Sequence, residues 1–211
     1  MKLITSLCVY FFTTSLSAQV LDRLSFNVGG GLAEPVLNTA KNINYGTNLQ
    51  GGVGVNFSPR LGAMIETEYD SFTITRSALS TLGVPNGFPG GKVHVRSFAL
   101  QPIWHFHPNG IWDVYATGGA GFYERTQQLT ASSVANATGS NPFFGFNTPG
   151  SPASEVALSY TVVKPGVDIG AGISLKVKWR LKLYAEVKYN HAFMGSLGHM
   201  NYLPVSMGVR W

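Results

Sequence analysis

The chain is poor in cysteine and in charge, and it has no long apolar run. Among 211 residues there is one cysteine, Cys8, and it lies within the first apolar stretch. Beyond that stretch there is no thiol, which excludes disulfides, cysteine metal sites and cysteine nucleophiles together. Only 12% of the residues are charged, although Lys and Arg exceed Asp and Glu by five. Those cations are scattered rather than massed in a patch, so nucleic acid is not an expected partner. After the first twenty residues, no apolar run reaches the roughly 18 residues that a spanning helix needs. A chain of this kind can cross a membrane only as a closed barrel, which satisfies every backbone group in lipid. Twenty-five glycines and 12% aromatics fit turns, closely packed strands and interfacial rings.

The start reads as an export signal spanning residues 1–18. Lys2 gives a positive beginning, Leu3 to Phe12 is mostly apolar, and Thr13 to Ala18 supplies small residues for cleavage after Ser17 or Ala18. Residues 19–211 then form one domain, since the length leaves little room for two.

Eight segments alternate with the period of two expected of strands. They run over residues 24–33, 46–57, 61–72, 92–106, 112–125, 157–175, 181–193 and 202–211. The third is the cleanest: Leu61, Ala63, Ile65, Thr67 and Tyr69 share one face, while Gly62, Met64, Glu66, Glu68 and Asp70 share the other. Pro102 and Pro165 interrupt the fourth and sixth. Short turns follow segments two, four and six. Longer connections follow one, three, five and seven, the longest running from about Thr126 to Val156. An even strand number with connections sorted by length predicts an all-β, eight-stranded antiparallel up-and-down transmembrane barrel. A soluble sandwich has no reason to sort them so.

Charge placement supports the same fold. Glu66, Glu68, Asp70, Lys164, Asp168, Lys182, Glu186, Lys188 and Arg210 all fall on the face opposite the large apolar residues. Alternation alone does not say which face is inside; the export signal and the lack of a covering helix assign the charges to the lumen. His94 and Arg96 share the apolar phase, but next to a long connection, where the cost of charge in lipid is small. Phe57, Phe106, Trp112, Trp179 and Trp211 gather at the short-turn end, and Tyr45, Phe72, Phe122 and Phe193 near the other, as two interfacial bands would.

On these grounds the chain resembles the small eight-stranded outer-membrane β-barrels, the group of the OmpA membrane domain. The resemblance covers the whole mature chain and rests on the strand pattern and the aromatic end. It implies residence in the outer membrane, contact with its lipid and lipopolysaccharide, and a monomeric barrel without cofactor. It also implies that Val209 and Trp211 belong to the last-strand signal read by the barrel-assembly machinery. Ser206 stands where glycine is usual in that signal, and Pro204 where a polar residue is usual.

Three constellations are candidates for function. The nine inward charges form either an ion-pair network filling a narrow interior or a gated polar path. If the turn after the sixth strand centres on Lys178, Asp168 lies opposite Lys188, which cross-strand electrostatics favours over Glu186. His191, Ser196 and His199 suggest a lipid A-modifying enzyme, but no carboxylate follows His191 to orient a base. His94, His105 and His107 are a weak metal signal. Asn141 to Asn147 carries three phenylalanines in a polar loop, suited to an external ligand or to folding over the barrel mouth. The expected role is structural or surface-interacting, with no catalysis and no metal. A lipid A-modifying enzyme and a narrow pore or conduit for small hydrophobic molecules are the alternatives.

Overall fold

The computed structural model describes residues 23–75, 90–133, 153–178, 180–195 and 198–211. The described residues form eight strands: β1 (Leu24–Pro35), β2 (Ile43–Asn56), β3 (Leu61–Ile74), β4 (Gly90–His105), β5 (Trp112–Ser133), β6 (Ala153–Lys178), β7 (Leu181–Phe193) and β8 (His199–Arg210). Each pairs antiparallel with its neighbours in sequence, and β8 pairs with β1 to close the barrel. The seam is completed by Trp211, whose N–H donates to the Phe26 carbonyl at 3.0 Å and whose carbonyl accepts from Phe26 N–H at 2.7 Å. The proposed export signal lies outside the described residues.

The alternation of the sequence maps onto two walls. Leu49, Ile65, Phe98, Leu100, Phe122, Ile169 and Val187 are exposed on the outside. Glu66, Glu68, Asp70, Asp168, Glu186, Lys188 and Arg210 are buried within. Pro102 and Pro165 both keep their places in the ladder, opposite Ala63 and Phe122. Near Pro102, the Thr117 hydroxyl lies 3.2 Å from its carbonyl and 3.0 Å from Gln101 Oε1.

Two expectations need correction. The long connection from Thr126 to Val156 is shorter than it reads: β5 continues to Ser133 and β6 begins at Ala153, paired beyond a bulge at Leu129/Thr130. The extension is rich in Thr, Ser and Gln, so it has no apolar face whose period would reveal it.

The second correction is the β6–β7 register. Asp168 lies opposite Asn190, not Lys188; Lys188 faces Gly170 and Glu186 faces Gly172. Lys176 pairs with Lys182 and Lys178 with Leu181, so Val177 is the extra residue of a bulge. Packing decides this register. A Cβ on Gly170 would sit 2.5 Å from Lys188 Cγ, and one on Gly172 would run into the Tyr115 ring. The glycines leave room for long side chains that cross the lumen, where Lys188 finds its partners.

Candidate functional site

Inward positions change character along the barrel axis. Ascending from the short turns, β3 goes from Met64, Glu66, Glu68 and Asp70 to Phe72 and Ile74. On β7, Glu186, Lys188 and Asn190 give way to Ala192. The inward side chains of β4 and β8 change over similarly, at Val95 and Tyr202. The lumen therefore has a charged lower part and an apolar upper part.

At the bottom, Asp113 on β5 accepts at 2.6 Å from His105 Nδ1, pairs with Lys182 Nζ at 3.7 Å and accepts the His107 N–H at 3.2 Å. Above it, Arg210 stacks over Tyr115 and Tyr184 at 4.5 and 5.0 Å and reaches Glu186 at 3.6 Å. The centre is Lys188, whose ammonium bonds Glu66, makes a close ion pair with Glu68, and lies 3.6 Å from Glu186. Asn27 donates to Glu66 at 2.6 Å and Asn190 to Glu68 at 2.9 Å. Strands β3 and β7 meet here across the lumen rather than in the sheet.

The nine charges expected inside do not all meet. Glu66, Glu68, Glu186, Lys188 and Arg210 form one cluster, and Lys182 belongs to the lower set around Asp113. Asp70 accepts from Asn48 at 2.7 Å, and Asn48 in turn accepts from Ser206 at 2.6 Å. Asp168 accepts from Tyr123 at 3.2 Å. Lys164 has the inward phase but is exposed at the upper rim. Asp113 and His105 have the inward phase, yet no neighbouring strand announces the contact of Asp113 with Lys182, because β5 and β7 are separated by β6.

Of the aromatic residues, Phe57, Phe106, Trp112 and Trp211 are exposed outside, as are Tyr45, Phe122 and Phe193. Trp211 stacks on Phe26 at 5.6 Å, and Val209 is paired with Val28 and Leu183. Trp179 lies outside the described residues. Phe72 corrects the outer band: it has the inward phase of Asp70, is fully buried, and meets Tyr202 edge-on at 5.5 Å.

The histidines are dispersed. His94 faces outward near the upper end and shares a 2.8 Å hydrogen bond with Tyr69. His105 is inside with its ring on Asp113, whereas His107 lies in the short turn and reaches Asp113 only through its backbone N–H. Among the described residues, no group of three His, Cys, Asp or Glu is placed to hold a metal. His191 and His199 stack at 5.0 Å, and His191 Nδ1 is 2.5 Å from Asn201 Oδ1. Ser196, and the loop from Asn141 to Asn147, lie outside the described residues.

At the top, a cavity of about 730 Å³ opens between the β1–β2 connection, with its 3₁₀ turn Thr39–Lys41, and the upper ends of β3 to β5, β7 and β8. Ile43, Ile74, Val93 and Met200 give it an apolar lining, and Arg125 and Gln127 bring polar groups to it.

A family model for the outer membrane protein beta-barrel domain matches residues 4–208. No curated protein sequence matches the chain. Among solved structures, the chain is similar to neisserial surface protein A, with a TM-score of 0.56 and 12% identity over 89% of this chain and 95% of that one. It is also similar to a major outer membrane protein of Thermus thermophilus, with a TM-score of 0.52 and 11% identity over 89% of this chain and 98% of that one. At such identities the likeness is one of fold.

Proposed function

The chain belongs to the outer membrane protein beta-barrel domain family, and from that premise we propose that it is a structural or surface-interacting barrel whose lumen is closed by its own ion pairs. The carrying observation is Lys188, almost wholly buried and held by carboxylates of β3 and β7. Pairing across the lumen ties Lys188 and Arg210 to carboxylates of facing strands, and Tyr115, Tyr123, Tyr184 and Tyr202 help fill the remaining width. The protein resides in the outer membrane, so the short turns face the periplasm and the longer connections face outward. In planar bilayers the purified barrel should give no steady conductance. A stable open channel in the wild-type protein would overturn the closed-lumen reading.

Surface interaction is assigned to the outer end. Lys92, His94 and Arg96 occupy consecutive outward positions on β4, with Arg96 lying over Tyr69 at 5.8 Å and 3.7 Å from Glu124. A short basic row at that height suits the anionic headgroups of lipopolysaccharide, while the connections after β3 and β5 supply contacts for an external ligand. The reading includes no catalysis: the described partners of His191 are Asn201 and aromatic or imidazole rings, not a carboxylate. His191→Ala should leave the lipid A mass profile of expressing cells unchanged.

Export by the signal in residues 1–18 and insertion through the barrel-assembly machinery complete the proposal, with the barrel acting as a monomer. Trp211 would act twice, as an interfacial ring and as the end of the assembly signal carried by Val209 and Trp211. Deletion of Trp211 should slow insertion; unchanged insertion would leave it the interfacial role alone.

A further inference from the structure

The cavity at the outer mouth is separated from the charged lumen, and its chemistry is different. Phe72, Val95 and Tyr202, each no more than 1% exposed, close the space beneath it. Its apolar lining comes from four strands: Ile43 of β2, Ile74 of β3, Val93 of β4 and Met200 of β8. It is therefore a blind pocket rather than the entrance of a path.

Among the described residues, Arg125 is the one Lys or Arg lining this pocket, whose rim also carries His191 and His199. Arg125, on the inward phase of β5, donates from Nη2 to Gln127 at 3.3 Å, and its Nε is buried without an acceptor. Among the described residues, no carboxylate is within ion-pair distance of its guanidinium. A half-buried guanidinium with no carboxylate beside it is costly unless an acceptor is supplied. The Nε–Nη edge of arginine matches the two oxygens of a carboxylate. A volume of about 730 Å³ also falls in the range of small-molecule sites.

We propose that this mouth pocket binds a single-chain amphiphilic carboxylate, its hydrocarbon on Ile43, Ile74, Val93 and Met200 and its carboxylate on Arg125. An apolar molecule without the head would leave the Arg125 edge unfilled. A small anion without the tail would leave the apolar lining wet. The two halves of the site thus specify an amphiphile together.

The test uses the whole barrel in zwitterionic nanodiscs, with empty discs as the partition background. Displacement of a fluorescent dansylated fatty acid by dodecanoate, dodecan-1-ol and acetate is measured. Dodecanoate should displace the probe saturably, dodecan-1-ol at least about ten-fold more weakly, and acetate not at all. Arg125→Gln should weaken dodecanoate by about ten-fold or more and leave dodecan-1-ol unchanged, while Val93→Trp, which fills the pocket, should weaken both. Heat-modifiable gel migration verifies that each variant is folded; if Val93→Trp fails it, Arg125→Gln decides alone. Binding no greater than in empty discs, equal affinity for the alcohol, or an Arg125→Gln barrel with wild-type dodecanoate affinity would each overturn the proposal. None of these outcomes depends on the conductance that tests the closed lumen.

Discussion

Up to the level of Asp70 the interior is mainly polar and charged, and from Phe72 upward it is mainly hydrocarbon. The same eight strands carry both parts, with the same alternation and the same glycine-rich backbone. They differ in what a side chain needs from its opposite. In the lower part Glu66 and Glu68 depend on Lys188, a single residue from β7, and Glu186 lies between Lys188 and Arg210. In the upper part Ile74, Val93, Val95, Met194 and Met200 need only to exclude water, and each can be replaced by a neighbour of similar size. The lower part is thus specific and vulnerable; the upper part is tolerant and has room for a pocket.

The first way to break that comparison is Lys188→Met, which conserves length but removes the charge. Three buried carboxylates lose their common cation, and loss of one partner of a buried pair costs about 3–5 kcal/mol. Urea unfolding of the barrel in lipid, followed by tryptophan fluorescence, should report a loss of that size. A loss below about 1 kcal/mol would mean that water already solvates the lumen, and the closed-lumen reading would fall with it.

Met200→Ala probes the upper part in the same assay. Removing a buried methionine side chain costs about 2–5 kcal/mol, and the lower end is expected here because Met200 borders an existing cavity. The two substitutions are made on different strands and at different heights, so their effects should add. If Met200→Ala cost more than Lys188→Met, the upper part would be the structural core and the assignment of roles would reverse.

The outer wall was far more legible in the sequence than the inner one. Outward positions need only be apolar, so Leu61, Ala63, Ile65 and Phe98, Leu100, Trp104 declare themselves by period alone. The same period put Glu66 and Lys188 inside. It did not show that they meet, because β3 and β7 are not neighbours and their contact spans the lumen. Electrostatic pairing between adjacent strands misjudged the β6–β7 register for the same reason: Lys188 looks across the barrel, and Gly170 beside it makes the space. The extensions of β5 and β6 escape the sequence reading because Thr, Ser and Gln leave no apolar period to reveal them. Phe72 has the height of the outer band, but its phase, shared with Asp70, points inward. The mouth pocket needs the β1–β2 connection brought beside Arg125, a long-range contact that no local pattern contains.

The smallest effect is the one that sharpens the comparison within the charged part itself. Among the described residues, six inward carboxylates, Glu66, Glu68, Asp70, Asp113, Asp168 and Glu186, stand beside three lysine or arginine side chains, Lys182, Lys188 and Arg210, and Asp70 and Asp168 pair with none of them. Asp70 is fully buried, accepts from Asn48 through one oxygen, and has the Tyr202 hydroxyl as its other polar neighbour. It has no cation within ion-pair distance among the described residues, whereas Glu66 and Glu68 have Lys188. Asp70→Asn keeps the shape and the acceptor for Asn48 while removing one of the surplus charges. Its expected effect on unfolding is therefore within about 1 kcal/mol, and toward greater stability, since an unpaired buried charge is a cost and not a contact. Glu68→Gln, one inward position along β3, removes a carboxylate that Lys188 uses and should destabilise instead. Opposite signs from two neighbouring carboxylates on one strand would show that pairing, not polarity, orders the lower lumen; equal losses from both would show that Asp70 has a counter-charge of its own.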